Sequence, residues 1–134
     1  MTDAVQSEVR AFYERYIAAW NAQDFPAVAA CYAEPAMFLL PGTTVSLPDR
    51  TAMIAMLETL FARLTGEGFS HSEFDSLTVR PCGEGIAIAD ARNVRRLRGD
   101  GTAIEVIDAH YVLRKEGGDW RFATTVTCEP GWDG

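Results

Sequence analysis

Between Val5 and Trp20 apolar side chains recur every three to four positions, at Val5, Val9, Phe12, Tyr13, Tyr16, Ile17 and Trp20. That is the period of one buried helical face, and it predicts a first helix. Asn21-Ala22-Gln23 breaks the pattern. Asp24 stands where an N-cap belongs, and Pro26 falls in the first turn, where its missing N–H costs nothing. A short second helix follows, with Val28, Cys31 and Tyr32 inward, and Pro35 stops it. Residues 36–40 read as a short buried strand ended by Pro41-Gly42. A third helix over about 49–64 opens on Ser46-x-x-Asp49 and Pro48. Its stripe is Met53, Ile54, Met56, Leu57, Leu60, Phe61 and Leu64, and Gly66 and Gly68 close it.

Beyond residue 69 the period changes from about 3.6 to 2. Strands are expected at about 70–80, 85–97, 102–115 and 120–128, joined by Pro81-Cys82-Gly83, Gly99-Asp100-Gly101 and Gly117-Gly118-Asp119. Turns of these types join antiparallel neighbours. The fold class is therefore α+β, with three N-terminal helices packed on one face of a strongly curved, mostly antiparallel sheet. The 102–115 strand is apolar on both faces: Ile104, Val106 and Val112 share one with Asp108 and His110, and Ile107, Ala109, Tyr111 and Leu113 hold the other. Such a strand needs cover on its second face. With the helices spent on the first, a homodimer through the sheet is expected.

At 134 residues the chain is expected to form a single domain over 1–134. No apolar run approaches the roughly 20 residues that span a bilayer, and the N-terminal residues lack a basic and apolar leader pattern. Three cysteines without metal-type spacing fit a reducing compartment, so a cytoplasmic location without membrane partners is expected. A net charge of −7 argues against nucleic acid as a partner. Arg92, Arg95, Arg96 and Arg98 run the other way. Period-2 alternation keeps Arg95 off the face of the other three, and the stretch reads as a solvated strand end, an anion-holding role being the alternative. No P-loop, GxGxxG or GxSxG pattern is present, so no cofactor is expected. With two histidines and no ligand-type cluster, a metal site is not expected either.

Helix–helix–strand–helix–meander, with Tyr-Ile-Ala-Ala-Trp-Asn-Ala-Gln-Asp at 16–24, resembles the NTF2-like superfamily, which includes SnoaL-type cyclases, ketosteroid isomerases and limonene epoxide hydrolases. Cys31-Tyr32-Ala33-Glu34-Pro35-Ala36, Val106-Ile107-Asp108 and Tyr111-Val112-Leu113-Arg114-Lys115 with Trp120-Arg121-Phe122 carry the likeness along nearly the whole chain. The resemblance implies a cone-shaped fold with a pocket under the sheet. Because this fold hosts enzymes, binding modules and transport factors, it does not by itself assign a reaction.

By the same resemblance Tyr16 matches the isomerases' oxyanion-hole tyrosine and Asp108 their protonated aspartate. A carboxyl flanked by Val106 and Ile104 would be desolvated, its pKa raised, and able to donate a hydrogen bond. The isomerases' base position holds Leu40, before Pro41, and the epoxide hydrolases' arginine and aspartate positions hold Ala91 and Asn93. Both known site patterns are therefore broken. His110, two residues beyond Asp108, is the candidate base. The expected catalytic set is Asp108, Tyr16 and His110, for proton transfer on an apolar carbonyl or hydroxyl compound. The expected ligand-binding set is Tyr13, Trp20, Tyr32, Phe38, Met53, Phe61 and Asn93, lining a cavity for a small apolar molecule. The competing expectation is a non-catalytic ligand-binding or protein-interaction module. In it Asp108 is a structural carboxylate bonded to Tyr16, His110 is satisfied by a neighbouring strand, and the aromatic residues fill a core.

Overall fold

The computed structural model describes residues 2–132, with side chains from residue 4 onward. The elements, in order, are α1 (Thr2–Asn21), α2 (Phe25–Ala30), β1 (Tyr32–Leu40), β2 (Thr43–Leu47), α3 (Arg50–Gly66), β3 (Phe69–Glu73), β4 (Ser76–Pro81), β5 (Ile86–Arg98), β6 (Ala103–Glu116) and β7 (Asp119–Cys128). The strands form one seven-stranded sheet in the order β2-β1-β7-β6-β5-β3, with β4 pairing the first half of β5. Neighbours are antiparallel except β1 and β7, so the sheet is mixed. No helix among the described residues is long and apolar enough to cross a membrane.

The helices start where the caps predict. Asp24 accepts from the Ala27 amide and Asp49 from the Ala52 amide, each satisfying an N–H that has no intrahelical partner. Three expectations change. Helix α2 ends at Ala30, before Pro35, because the Cys31 carbonyl accepts from the Phe122 amide and Tyr32 pairs alongside Phe122. The chain therefore enters β1 four residues early, and the Glu34–Pro35 peptide inside that strand is cis. Residues 43–47 form an unexpected strand: Leu40 pairs with Thr43 across a two-residue loop, in which Gly42 takes φ +82. Helix α3 thus follows a hairpin, so the helices are not all N-terminal to the sheet. Finally, the expected 70–80 strand is split at Phe74–Asp75, opposite an irregularity in β5 described below.

The core lies between the helices and the inner face of the sheet. At its centre is Phe122, fully buried, whose ring meets those of Phe12, Tyr16 and Tyr111 at 5.0, 4.8 and 4.6 Å. Truncating such a ring removes its own buried area and leaves a void that neighbouring rings cannot collapse into. Phe122→Ala should cost about 3–5 kcal/mol in urea unfolding, whereas Leu39→Ala, at a site 38% exposed, should stay within about 0.5 kcal/mol.

Candidate ligand-binding site

A cavity of about 540 Å³ opens between α1, α3 and the inner face of the sheet. Helix α1 supplies Tyr13, Tyr16, Ile17 and Trp20, α3 supplies Met56, Leu60 and Arg63, and the first hairpin supplies Phe38, Leu40, Pro41 and Val45. The sheet contributes alternate residues, as its pleat requires: Glu105, Ile107, Ala109 and Tyr111 on β6, and Thr125 and Thr127 on β7.

Two pairs of tyrosines bring polar atoms into this apolar space. The Tyr16 and Tyr32 hydroxyls lie 2.9 Å apart, and those of Tyr13 and Tyr111 lie 3.0 Å apart. Burial pushes the Tyr16 pKa up to about 12 and raises the other three as well, so all four hydroxyls keep their protons. One hydroxyl of each pair donates to the other, which leaves each pair one more proton to give. The Trp20 indole N–H, Ser72 Oγ and Thr125 Oγ1 are buried and have no protein partner. All three residues line the cavity. Buried polar atoms are ordinarily satisfied, so three orphans around one cavity, on α1, β3 and β7, mark places for a ligand's polar atoms.

Asp108 and His110 lie on the other side of the sheet. The register runs Ala91↔Ala109 and then Val94↔Ile107, so Arg92 and Asn93 together oppose Asp108 in a β-bulge. Asn93 has φ +50, and its amide, freed from the ladder, donates to Asp108 Oδ1 at 2.9 Å. Arg92 and the Gly131 amide bond Oδ2 at 2.9 and 3.0 Å. Burial by itself would raise the Asp108 pKa. These three hydrogen bonds outweigh it and hold the carboxyl below its usual value. Asp108 is thus an ionised structural carboxylate whose partner is Arg92 rather than Tyr16. The expected protonated aspartate beside that tyrosine is not formed, because position 108 shares its face with the outer residues of β6. His110 shares that outer face, paired through Nδ1 with Asp90 and set edge-on to Trp132 at 6.0 Å between ring centres.

The structure brings Tyr13, Tyr16, Trp20, Tyr32 and Phe38 together on the cavity wall. Met53 and Phe61 instead pack in the core, because the broad apolar stripe of α3 divides: Met53, Leu57, Phe61 and Leu64 turn inward, and Met56 and Leu60 face the cavity. Asn93 sits in the bulge, where its side-chain amide donates to Asp75 at 2.8 Å. The arginines disperse: Arg92 goes to Asp108, Arg95 to Asp75, Arg98 to the Glu67 and Ala103 carbonyls, and of the four only Arg96 into the cavity. Arg96, Glu105, Ser72 and the two β7 threonines were not expected at the site from sequence. Alternation along β6 from Tyr111 would have revealed Glu105, whereas the threonines lie beyond a register shift in β7, so counting by twos from Phe122 turns them outward. Arg96 depended on a bulge that period-2 counting does not contain.

A family profile described as "NTF2-like protein (DUF6841)" matches residues 7–130. The chain belongs to this NTF2-like family. No curated protein matches it. Among solved structures, the NTF2-like chain is similar to Aln2 from a Streptomyces species, at 22% identity and TM-score 0.79 over 96% of this chain and 93% of that one. An NTF2-like protein of unknown function from Pseudomonas putida is 25% identical, with TM-score 0.77 over 97% and 89% of the two chains. A Catenulispora acidiphila protein solved in complex with S-DNPA is 20% identical, with TM-score 0.74 over 93% and 94%.

Because its folded pKa is depressed, Asp108 stabilises the fold above its unfolded value of 3.8, and that contribution is lost as pH falls through the lower folded value. Asp108→Ala should cost about 2–4 kcal/mol at pH 7 by removing the ion pair to Arg92 and leaving the Asn93 amide without its acceptor. In urea titrations from pH 6 to pH 2, the stability gap between wild type and Asp108→Asn should be widest at pH 6 and narrow toward pH 2.

Proposed function

We propose that this chain binds a small, mostly apolar molecule bearing a carbonyl or hydroxyl oxygen in the cavity between α1 and the sheet. The observation that carries this reading is the coincidence of an apolar space of about 540 Å³ with three unpartnered buried polar groups on its wall. The Tyr16–Tyr32 pair supplies a donor for the ligand's oxygen, and the flanking aromatic rings supply its apolar contacts. The complex of the Catenulispora acidiphila relative with S-DNPA supports a ligand site in this fold. The proposed role is binding rather than proton transfer. Among the described lining residues Glu105 is the lone carboxylate, held 2.7 Å from Arg96, and no histidine is present.

The outer face of the sheet carries Ile88 opposite Val112, with Val126 opposite His110 on the next strand, and we propose this face as the seat of a second copy of the chain. The expected mass in light scattering at micromolar concentration is that of a dimer, and Val112→Glu should halve it.

For the cavity, 2-naphthol is a suitable probe. At a hundredfold excess over its dissociation constant it should stabilise the wild type by about 2.7 kcal/mol, read as a rise in Tm. Tyr16→Phe should weaken its binding about three- to tenfold, in keeping with the roughly 1 kcal/mol worth of one hydrogen bond. Thr127→Trp, which fills the space, should abolish binding while leaving the circular dichroism spectrum unchanged. A wild type that 2-naphthol does not stabilise would refute the reading.

A further inference from the structure

One wall of the cavity is polar in an organised way. Ser72 pairs across β3–β5 with Arg96, and Arg96 pairs across β5–β6 with Glu105. Directly opposed residues of an antiparallel sheet share a face, so the three form a single row, and all three line the cavity. The Arg96 guanidinium lies 4.9 Å from the centre of the Trp20 ring. Its side chain is only 17% exposed, and it meets Glu105 through Nη1 at 2.7 Å. Nε and Nη2 have no partner among the described residues. Glu105 is shared, because Arg63 approaches the same carboxylate oxygen at 3.7 Å while also holding Glu67 on the helix surface.

Among the described residues that line the cavity, the charges are therefore two arginines against one carboxylate, in a chain whose net charge is −7. A guanidinium half enclosed by apolar walls calls for a planar, two-oxygen acceptor for the rest of its fork. Ser72 is 4% exposed and Trp20 is 6% exposed, and the unpartnered Ser72 hydroxyl and Trp20 N–H belong to the residues flanking that fork. Together the three offer four kinds of donor at one end of an otherwise apolar space: Nε, Nη2, a hydroxyl and an indole N–H.

We propose that the cavity's ligand is an apolar carboxylic acid, its carboxylate seated where Arg96, Ser72 and Trp20 meet and its ring system lying toward the tyrosines. This rests on the ligand-binding reading above and narrows the ligand class. A single carboxylate replaces Glu105 on Arg96 charge for charge, so Glu105 serves as an internal stand-in that the ligand displaces toward Arg63. A doubly charged phosphate would instead bring excess negative charge beside Glu105.

The test compares 2-naphthaleneacetic acid with 2-naphthaleneacetamide, equal in size and differing in charge, by isothermal titration calorimetry on the full chain at pH 7. Wild type should bind the acid at least tenfold more tightly than the amide. Arg96→Gln should bring the two affinities together, mainly by weakening the acid. Glu105→Gln should tighten the acid about three- to tenfold and leave the amide unchanged, which a merely structural Arg96–Glu105 pair would not do. Equal affinities in the wild type, with 2-naphthol still bound, would overturn the carboxylate assignment and leave the cavity reading standing. Failure of acid, amide and naphthol alike would overturn both. A preference for the acid that survives Arg96→Gln would place the carboxylate elsewhere and refute the proposal.

Discussion

Inserting one residue into a strand reverses the side on which every later side chain emerges. Strand β5 does this at Arg92–Asn93, and the ionised carboxylate of Asp108 stabilises the insertion by accepting from the Asn93 amide that the ladder can no longer use. Before the bulge Ala87, Ala89 and Ala91 face inward, and beyond it Val94 and Arg96 do. Without it, Arg96 would stand on the outer face and Val94 with it. The cation at the cavity wall, the split between β3 and β4 and the dispersal of the arginines all follow from this local arrangement. Asp108 thus shapes the cavity from the side that the cavity does not touch.

The small residues of β5 and the large ones of β7 and α1 have complementary roles. Alanines at 87, 89 and 91 are buried on the inner face of β5, and Phe122 fills the space among the rings of α1 and β6. Past the bulge the inner face changes character, with an arginine and a half-exposed glutamate in place of closely packed alanines. Close packing at one end and an open wall at the other divide the interior into a core and a cavity. The tyrosines stand at the border, with rings packed in the aromatic cluster and hydroxyls paired with one another.

The helices and most strands were legible because their signals are local. Apolar spacing of 3.6 or 2, an aspartate before each of α2 and α3, and glycine turns each depend on a few neighbouring residues, and caps and elements formed accordingly. Strand β2 left a weaker local trace, the alternation of Thr43–Leu47 after a Pro-Gly turn, and its pairing with β1 made it a strand. The early start of β1 left none, since it is set by the distant Phe122. Of the candidate site, Tyr13, Tyr16, Trp20, Tyr32 and Phe38 were legible as the apolar side of α1 and its partners. Met53 and Phe61 were indistinguishable from them by sequence. A stripe as broad as that of α3 faces both core and cavity, and its pattern does not say which residue faces which.

By itself the sequence determined the α+β class, the starts of α2 and α3, the antiparallel meander, the family and an aromatic stripe suited to a core or a pocket. The tertiary structure alone decided which face of β6 is inner, that Asp108 is ionised and paired with Arg92, and that Arg96 enters the cavity. The reason is parity. Alternation along a strand fixes which residues share a face, but a single inserted residue exchanges the faces. Whether such an insertion forms depends on a carboxylate from another strand to satisfy the amide it frees.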